Sequence, residues 1–589
     1  MSVTQISSDT LLDDIEQHFR VSAGPGAGKT YWLIGHIKNV LHNSNRLAKS
    51  KKIACITYTN IAVETILSRL GTSSENVEVS TIHSFLYKHI VKPYISFISE
   101  EYGINISEMD GHDESYISLK NLVTWIESHT NSAQLRHPYT INQLTKLENN
   151  KVALSNWLNS LSYKIDQTGT INIVSDRLKA FYIDNRSRRF LGRQCMDLLD
   201  CDFLSYKRLY WQDGKIDHDD VLFFSYQIIK KYPFTLDVLR SKFPYFFVDE
   251  FQDSNPIQVE LLKLIGEKET IIGIIGDKAQ SIYGFQGADP SQFQLFSLTR
   301  ILDYQISNNR RSSNEIISLL NNLRFDIIQN PIRNFSSIHP TILIGEMSSA
   351  LDKAQILCGK EIIYSLARQN VISNAMKMAI GGIELNGKLF DELKAVDSNK
   401  TRCNLIIYCI KSIEFARENK FKDSIKELER FFKYGNDKEK TKKISLNHII
   451  KLSENYDEFK KGSLLEFSEF VRNNIKKDLS MVSGGAIKIF YENHTYQQLA
   501  LCVNVPEDLS CHKTIHKSKG DEFDNVLLVL KNESDLSFIL SPNIDNNEEH
   551  RINYVAVSRA KNKLFISIPS LTPIVKRKLE LKLFQIVDV

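Results

Sequence analysis

The stretch from Ser22 to Thr30, Ser-Ala-Gly-Pro-Gly-Ala-Gly-Lys-Thr, limits what this chain can fold into more than any other. It follows the strand-like Phe19-Arg20-Val21 and precedes the helix-patterned Tyr31 to Ile37, so it lies where a strand turns into a helix. Gly24, Gly26 and Gly28 lack the Cβ that holds backbone N–H groups away from a polyphosphate, and the following helix directs its positive end to the same place. The cradle predicted from this pattern runs through Ala23, Gly24, Pro25, Gly26, Ala27, Gly28, Lys29, Thr30 and Tyr31. Lys29 is expected to meet the β and γ phosphates, and the Thr30 hydroxyl to hold Mg²⁺. The strict pattern puts Gly where Ala23 stands, so a plain glycine-rich helix cap is the competing reading.

Downstream residues weigh against that cap. Ile53-Ala54-Cys55-Ile56 is a continuous apolar run, as in a parallel strand buried on both faces, and it delivers Tyr58, Thr59 and Asn60 to its carboxyl end. A second short strand, Val77 to Ser80, delivers His83 and Phe85. Tyr58 and Phe85 read either as core aromatics or, at strand ends beside a phosphate loop, as platforms for stacked bases. Tyr245 to Asp253 reads as a buried strand ending in carboxylates: Asp249 is expected to bind Mg²⁺ through water, and Glu250 to orient the attacking water as general base. Another strand, Thr270 to Ile275, leads into Gly276 to Ala288. Between these blocks, residues 88–205 carry helix patterning and no nucleotide-site signature. Arg186, Arg188, Arg189 and Arg193 in that stretch read as a solvated face or as phosphate contacts.

Net charge is +4, from 74 basic and 70 acidic residues, so a nucleic-acid site must be a local groove and not a global field. The eight cysteines contain no Cys-x-x-Cys pair. With no signal peptide and no apolar run long enough to span a bilayer, they read as reduced core residues of a cytoplasmic protein with no membrane partner.

Asp249-Glu250-Phe251-Gln252-Asp253 followed by Gly276-Asp277-Lys278-Ala279-Gln280-Ser281-Ile282-Tyr283 resembles motifs II and III of the UvrD/Rep/PcrA helicases of superfamily 1A. The glycine stretch resembles motif I, Thr57 to Val63 motif Ia, Thr81 to Phe85 motif Ib, Asn309 to Ser312 motif IV, Thr514 to Phe523 motif V, and Tyr554 to Ala560 motif VI. The resemblance implies an α/β chain of two RecA-like P-loop NTPase domains, parallel sheets flanked by helices, each with a mostly helical insertion. Expected boundaries are 1–87 and 206–300 for the first core, 88–205 for its insertion, 301–395 and 506–589 for the second core, and 396–505 for a shortened insertion. No nuclease domain is expected beyond the second core.

By the same resemblance, ATP with Mg²⁺ is the nucleotide, and Lys29, Asp249, Glu250, Gln280, Arg311 and Arg559 are catalytic, the two arginines reaching the phosphate from the second core. Arg310 and Glu522 also contact the nucleotide. Tyr58, Thr59, Asn60, His83, Phe85, Tyr283, Phe285, Thr514 and His516 line a path for single-stranded or tailed duplex DNA. Arg310 stands where the family has an adenine-stacking Tyr, Gln286 replaces Arg, and Gln5 and Gln17 both remain candidates for the adenine-reading Gln. Two functions stay open: a 3′ to 5′ DNA helicase or single-strand translocase, and a DNA-stimulated ATPase switch regulating a partner nuclease. The helicase or translocase is the leading reading and the switch the runner-up; the compact insertions look like the helicase-like subunit of Gabija-type antiphage systems, and a neighbouring gene for a nuclease would favour the switch.

Overall fold

Side chains alternate along a strand, so a continuous apolar run buries both faces of its sheet. In the computed structural model, Ile53–Thr57, Tyr245–Val248 and Ile271–Gly276 are buried at every position. Ala54, Ile56, Phe246, Val248, Ile272 and Ile274 enter one hydrophobic core. Their neighbours Ile53, Cys55, Tyr245, Phe247, Ile271 and Ile275 enter another on the opposite face. The structure describes residues 3–112, 117–136, 148–184, 187–381, 385–433, 437–505, 510–582 and 584–589; Arg186 lies outside them.

The chain divides into two compact units. The first comprises Met1–Arg311, Arg324–Arg333 and Ile544–Arg551, and the second Ser312–Leu323, Asn334–Asn543 and Ile552–Val589. The first unit carries a seven-stranded sheet in the order Thr4–Ile6, Leu302–Ile306, Phe19–Ala23, Ile271–Gly276, Tyr245–Val248, Ile53–Thr57, Val77–Thr81. Every pairing in it is parallel. All carboxyl ends therefore meet at one edge, where ligands of open α/β sheets bind.

The boundaries differ from expectation at more than one place, since Arg324–Arg333 and Ile544–Arg551, expected in the second core, also belong to the first unit. Leu302–Ile306 pairs with Phe19–Ala23, Tyr304 opposite Val21, so the first core continues beyond residue 300 to Arg311. Leu-Asp-Tyr-Gln-Ile is only half buried and lacks the unbroken apolar run that marks the central strands. The 88–205 insertion is also less uniformly helical than its sequence pattern. Two antiparallel hairpins, Ser162–Ile165 with Ile171–Val174 and Phe181–Asp184 with Ser187–Phe190, join helices packed around Trp125, Trp157 and Phe203.

The second unit holds a six-stranded parallel sheet in the order His512–Thr514, Ile363–Ala367, Phe523–Val529, Ala560–Ile568, Thr341–Ile344, Gln585–Asp588. Helices from Leu389–Val396 to Tyr496–Ala500 share a core of their own, built on residues such as Leu405, Ile406, Phe467 and Tyr496. A buried ion pair fixes one end of that core: Arg402 Nη2 lies 2.7 Å from Asp397 Oδ1, and the Tyr491 hydroxyl donates to Asp397 Oδ2 at 2.8 Å. Among the described residues, no helix is long and apolar enough to cross a membrane.

Gly273, in the central strand of the first sheet, gives up its side-chain space to Phe19, whose Cζ lies 2.1 Å from where a Cβ would stand. Gly273→Ala is expected to lower stability by about 1–3 kcal/mol through overpacking. A fall in the thermal midpoint, partly recovered when Phe19→Leu is added, checks this.

Candidate nucleotide and DNA site

The glycine stretch forms a loop between the strand Phe19–Ala23 and the helix Lys29–Asn43. Gly26 and Gly28 adopt φ of 70° and 82°, left-handed values that side-chain-bearing residues rarely hold. Ala23 and Ala27 are fully buried, while Tyr31 is 61% exposed. Lys29 Nζ donates to the Ala23 carbonyl at 3.4 Å, and the Thr30 hydroxyl donates to Asp249 Oδ2 at 3.5 Å. Residues 219 positions apart thus meet because Tyr245–Val248 and Phe19–Ala23 both flank Ile271–Gly276.

Burial, then the Glu250 charge, push the Asp249 carboxyl up to about 7, while Lys29 and the Thr30 hydroxyl pull it back. A bound divalent cation would oppose the same two effects, so this donor set fits Mg²⁺ held beside Thr30. Glu250 has φ of 51°, an uncommon conformation for a non-glycine residue, and it lies two residues past the end of the buried strand Tyr245–Val248.

Two residues that the sequence reading did not single out, Gln252 and Arg324, brace Glu250 and the neighbouring Asp277. Gln252, fully buried, donates to the Glu250 carboxylate and accepts from Asp277 N–H at 2.9 Å, while its carbonyl takes the Ser281 hydroxyl at 2.9 Å. Gly276 is needed there, because a Cβ would stand 2.4 Å from Gln252 Oε1. Arg324, 2% exposed, donates from Nη1 to Asp277 Oδ2 at 2.9 Å, and the same oxygen takes Gln280 Nε2 at 2.8 Å. The loop's far side is held by Arg551, which donates to the Ser281 carbonyl at 2.8 Å, and by Glu548, which accepts from Gly284 N–H at 2.9 Å. Nothing in the local pattern around Gln252 or Arg324 announces these partners.

Tyr58 and Tyr283 stack, ring centres 4.7 Å apart and planes 21° from parallel, and Phe285 lies 5.9 Å from Tyr283. The Tyr58 hydroxyl donates to Gln286. Burial and Asp253 push both phenols upward, so they stay neutral. Thr59 caps the next helix by accepting from Ala62 N–H at 3.2 Å, and Asn60 is exposed at its start. His83 is half-buried beside His218, ring centres 5.3 Å apart. Phe85 does not join this surface. It is fully buried, 5.0 Å from both Phe243 and Phe246, so its expected place on the DNA path is corrected to the core. The helix Ile82–Leu86 turns Phe85 inward while leaving His83 toward the edge.

Arg310 and Arg311 belong to the first unit, not the second as expected. Arg310 N–H donates to the Gly26 carbonyl at 2.9 Å, and the Arg310 side chain pairs with Asp9. Of the two candidate glutamines, Gln5 accepts from the Ser307 hydroxyl at 2.8 Å, and Gln17 is half-buried.

In the second unit, Thr514 ends the strand His512–Thr514 and His516 begins the next turn. Arg559 is 2% exposed: it donates to the Val555 and Asp521 carbonyls, both at 3.2 Å, and to the Ser558 hydroxyl at 3.1 Å. Its guanidinium thereby ties the turn after Thr514 to the helix Glu548–Val557. Glu522 is exposed, 3.6 Å from Lys561.

Residues 6–299, about half of the chain, match the UvrD/REP helicase N-terminal domain. The chain belongs to the UvrD/REP helicase family. A second stretch, residues 417–567, matches the viral superfamily 1 RNA helicase core domain. The chain is similar to the Gabija protein GajB of Bacillus cereus, 26% identical over 328 residues that cover 52% of this chain and 47% of that protein. It is likewise similar to the ATP-dependent DNA helicase srs2 of Schizosaccharomyces pombe, 27% identical over 340 residues, covering 55% and 35%. A probable DNA helicase II homolog of Mycoplasma genitalium is 23% identical over an aligned length of 615, covering 93% of this chain and 82% of that protein. The chain thus spans less than half the length of the first two of these relatives. Within the UvrD/REP family frame, the motif I, II and III residues of this chain converge on one sheet edge.

Phe85→Ala is expected to cost about 3–5 kcal/mol by opening a core cavity, whereas Phe285→Ala, at a 69% exposed ring, leaves the thermal midpoint nearly unchanged. Burial, then His218 and His112, push His83 down to about 4, with Asp217 acting the other way. Because the fold favours the neutral ring, the stability it contributes is present above the ordinary value and lost as pH falls toward 4. His83→Gln is therefore expected to lose less thermal stability than the wild type between pH 7 and pH 5, read from melts across that range.

Proposed function

We propose that the chain is an ATP-dependent DNA helicase or single-strand translocase. One observation carries the reading: Lys29, Thr30, Asp249 and Glu250 gather at the carboxyl edge of one parallel sheet, beside the stacked Tyr58 and Tyr283. The glycine cradle suits the phosphates, Thr30 and Asp249 suit Mg²⁺, and Glu250 suits the attacking water. Gln280, through Asp277, sits between that chemistry and the tyrosine-bearing loop. Catalysis of this kind is mainly positioning and charge stabilisation, so a second lobe supplying Arg559 completes the proposal. Arg311, with Glu522 and Arg310, is assigned to the nucleotide by resemblance.

On the DNA side, Tyr58, Tyr283 and Phe285 stack on bases, and Thr59, Asn60, His83, Thr514 and His516 contact the strand. Stacking tolerates any sequence, so movement need not read bases. Loss of the γ phosphate removes the contacts that favour a closed arrangement of two lobes, which gives translocation its cause. Relatives named as ATP-dependent DNA helicases support this reading, and family resemblance suggests 3′ to 5′ movement. The second reading, an ATPase switch governing a partner nuclease, is favoured by the likeness to the Gabija protein GajB.

The purified chain is expected to hydrolyse ATP in the presence of Mg²⁺, faster with single-stranded DNA, and to bind that DNA less tightly as salt rises. Lys29→Ala abolishes turnover, and Arg559→Ala lowers it roughly 10³-fold while leaving nucleotide binding in place, by the usual size of an arginine-finger effect. Near-normal turnover in the Arg559 variant removes the two-lobe site from this account. Displacement of a strand from a 3′-tailed duplex separates helicase from switch: hydrolysis without displacement supports the switch.

A further inference from the structure

The outer side of the phosphate loop is held by two buried side-chain amides that the motif does not contain. Asn309 is fully buried and Gln329 is 2% exposed. Gln329 Nε2 donates to the Pro25 carbonyl at 2.8 Å, and Asn309 Nδ2 donates to the same carbonyl at 3.1 Å and to Gln329 Oε1 at 3.2 Å. Asn309 Oδ1 accepts from Arg311 N–H at 2.9 Å, which fixes the orientation of that amide. The adjacent carbonyl, that of Gly26, takes Arg310 N–H at 2.9 Å. Backbone bonds lock the two carrier segments together: Asn330 N–H donates to the Ser307 carbonyl at 2.8 Å, and Ile332 N–H to the Asn309 carbonyl at 3.0 Å.

A loop that cradles phosphates must turn its N–H groups inward, and its carbonyls therefore outward. Proline has no N–H to offer, so the useful polar act at position 25 is to keep its carbonyl away from the anion. Two amides and one backbone N–H do so for Pro25 and Gly26. The glycines answer to the same contact. The nearest atoms to a Cβ on Gly24 all belong to Gln329, at 2.3, 3.1 and 3.5 Å. A Cβ on Gly26 would meet Asn309 Oδ1 at 2.5 Å and Arg311 Cβ at 2.7 Å. Gly26 also needs its left-handed φ, whereas Gly24 has no such need, so the amide of Gln329 is what an alanine at 24 would strike.

We propose that Asn309 and Gln329 are positioning residues for nucleotide binding, clamping the carbonyl side of the phosphate loop so that its N–H groups are set before the triphosphate arrives. The proposal rests on the ATP reading given above. Loss of the clamp raises the cost of ordering the loop around the nucleotide, which appears in binding more than in the chemical step.

The test uses the full chain, MgATP turnover, calorimetric binding of Mg²⁺ with ATPγS, and thermal midpoints. Gln329→Met, similar in size but without the donor, and Asn309→Leu are each expected to raise KM about ten-fold with kcat within about three-fold. Gly24→Ala is expected to weaken ATPγS binding at least about ten-fold and to lower the midpoint, and adding Gln329→Ala restores both to the level of Gln329→Ala alone. Normal KM in Gln329→Met, normal binding in Gly24→Ala, or a Gly24→Ala defect that persists without Gln329 each overturns the clamp. A wild-type chain that binds no nucleotide overturns the ATP reading and the positioning role with it. In that case additive midpoints would also reject the contact itself.

Discussion

The placement of Phe19–Ala23 inside a parallel sheet, with Ile271–Gly276 on one side and Leu302–Ile306 on the other, is the constraint from which the first unit's chemistry follows. Parallel pairing sends every carboxyl end the same way, so a glycine turn after one strand and two acids after a near neighbour must face each other. Thr30 and Asp249 meet on that account and not through any local affinity. The apolar burial that holds the strands is symmetrical across the sheet, with cores on both faces, which keeps the edge geometry stiff.

A second layer of order is polar. Asp277 sits between Arg324 and Gln280, all nearly fully buried, while Gln252 ties Glu250 to the backbone of the same loop. Buried charges are costly unless paired and hydrogen-bonded, and removing one partner of such a pair strands the other. This network therefore gives the loop after Ile271–Gly276 one arrangement, and with it the position of Tyr283 against Tyr58. The Asp249 carboxyl, pushed upward by burial and by Glu250, sits in the same low-dielectric edge, where a divalent cation's field acts strongly.

Much of this was legible in the chain. The continuous apolar runs announced the central strands, because burial on both faces leaves no polar positions to disguise them. That Lys29, Thr30, Asp249 and Glu250 follow strand ends was legible from the segments before them, and the structure brings Thr30 and Asp249 together there. The miss at Phe85 has an equally plain cause: a five-residue helix decides whether an aromatic faces the edge or the core, and two helical positions separate the half-buried His83 from the buried Phe85. The edge strand Leu302–Ile306 escaped because half-buried strands carry mixed composition, and the boundary at 300 moved to Arg311 with it.

The sequence by itself determined the strand-turn-helix around Gly26, the acids of Asp249 and Glu250, and the order of the motifs along the chain, since each depends on neighbours within a few positions. Tertiary structure alone decided that Gln252, Arg324, Asn309 and Gln329 hold those groups in place. Partners such as Asp277 for Gln252 and Arg324, or Pro25 for Asn309 and Gln329, lie from 25 to 304 positions away, and a glutamine or arginine looks the same in sequence whether it meets solvent or a buried polar group. Gly24 shows the difference most clearly: its absence of a side chain reads as a demand of the phosphates, and the fold adds that the space belongs to Gln329.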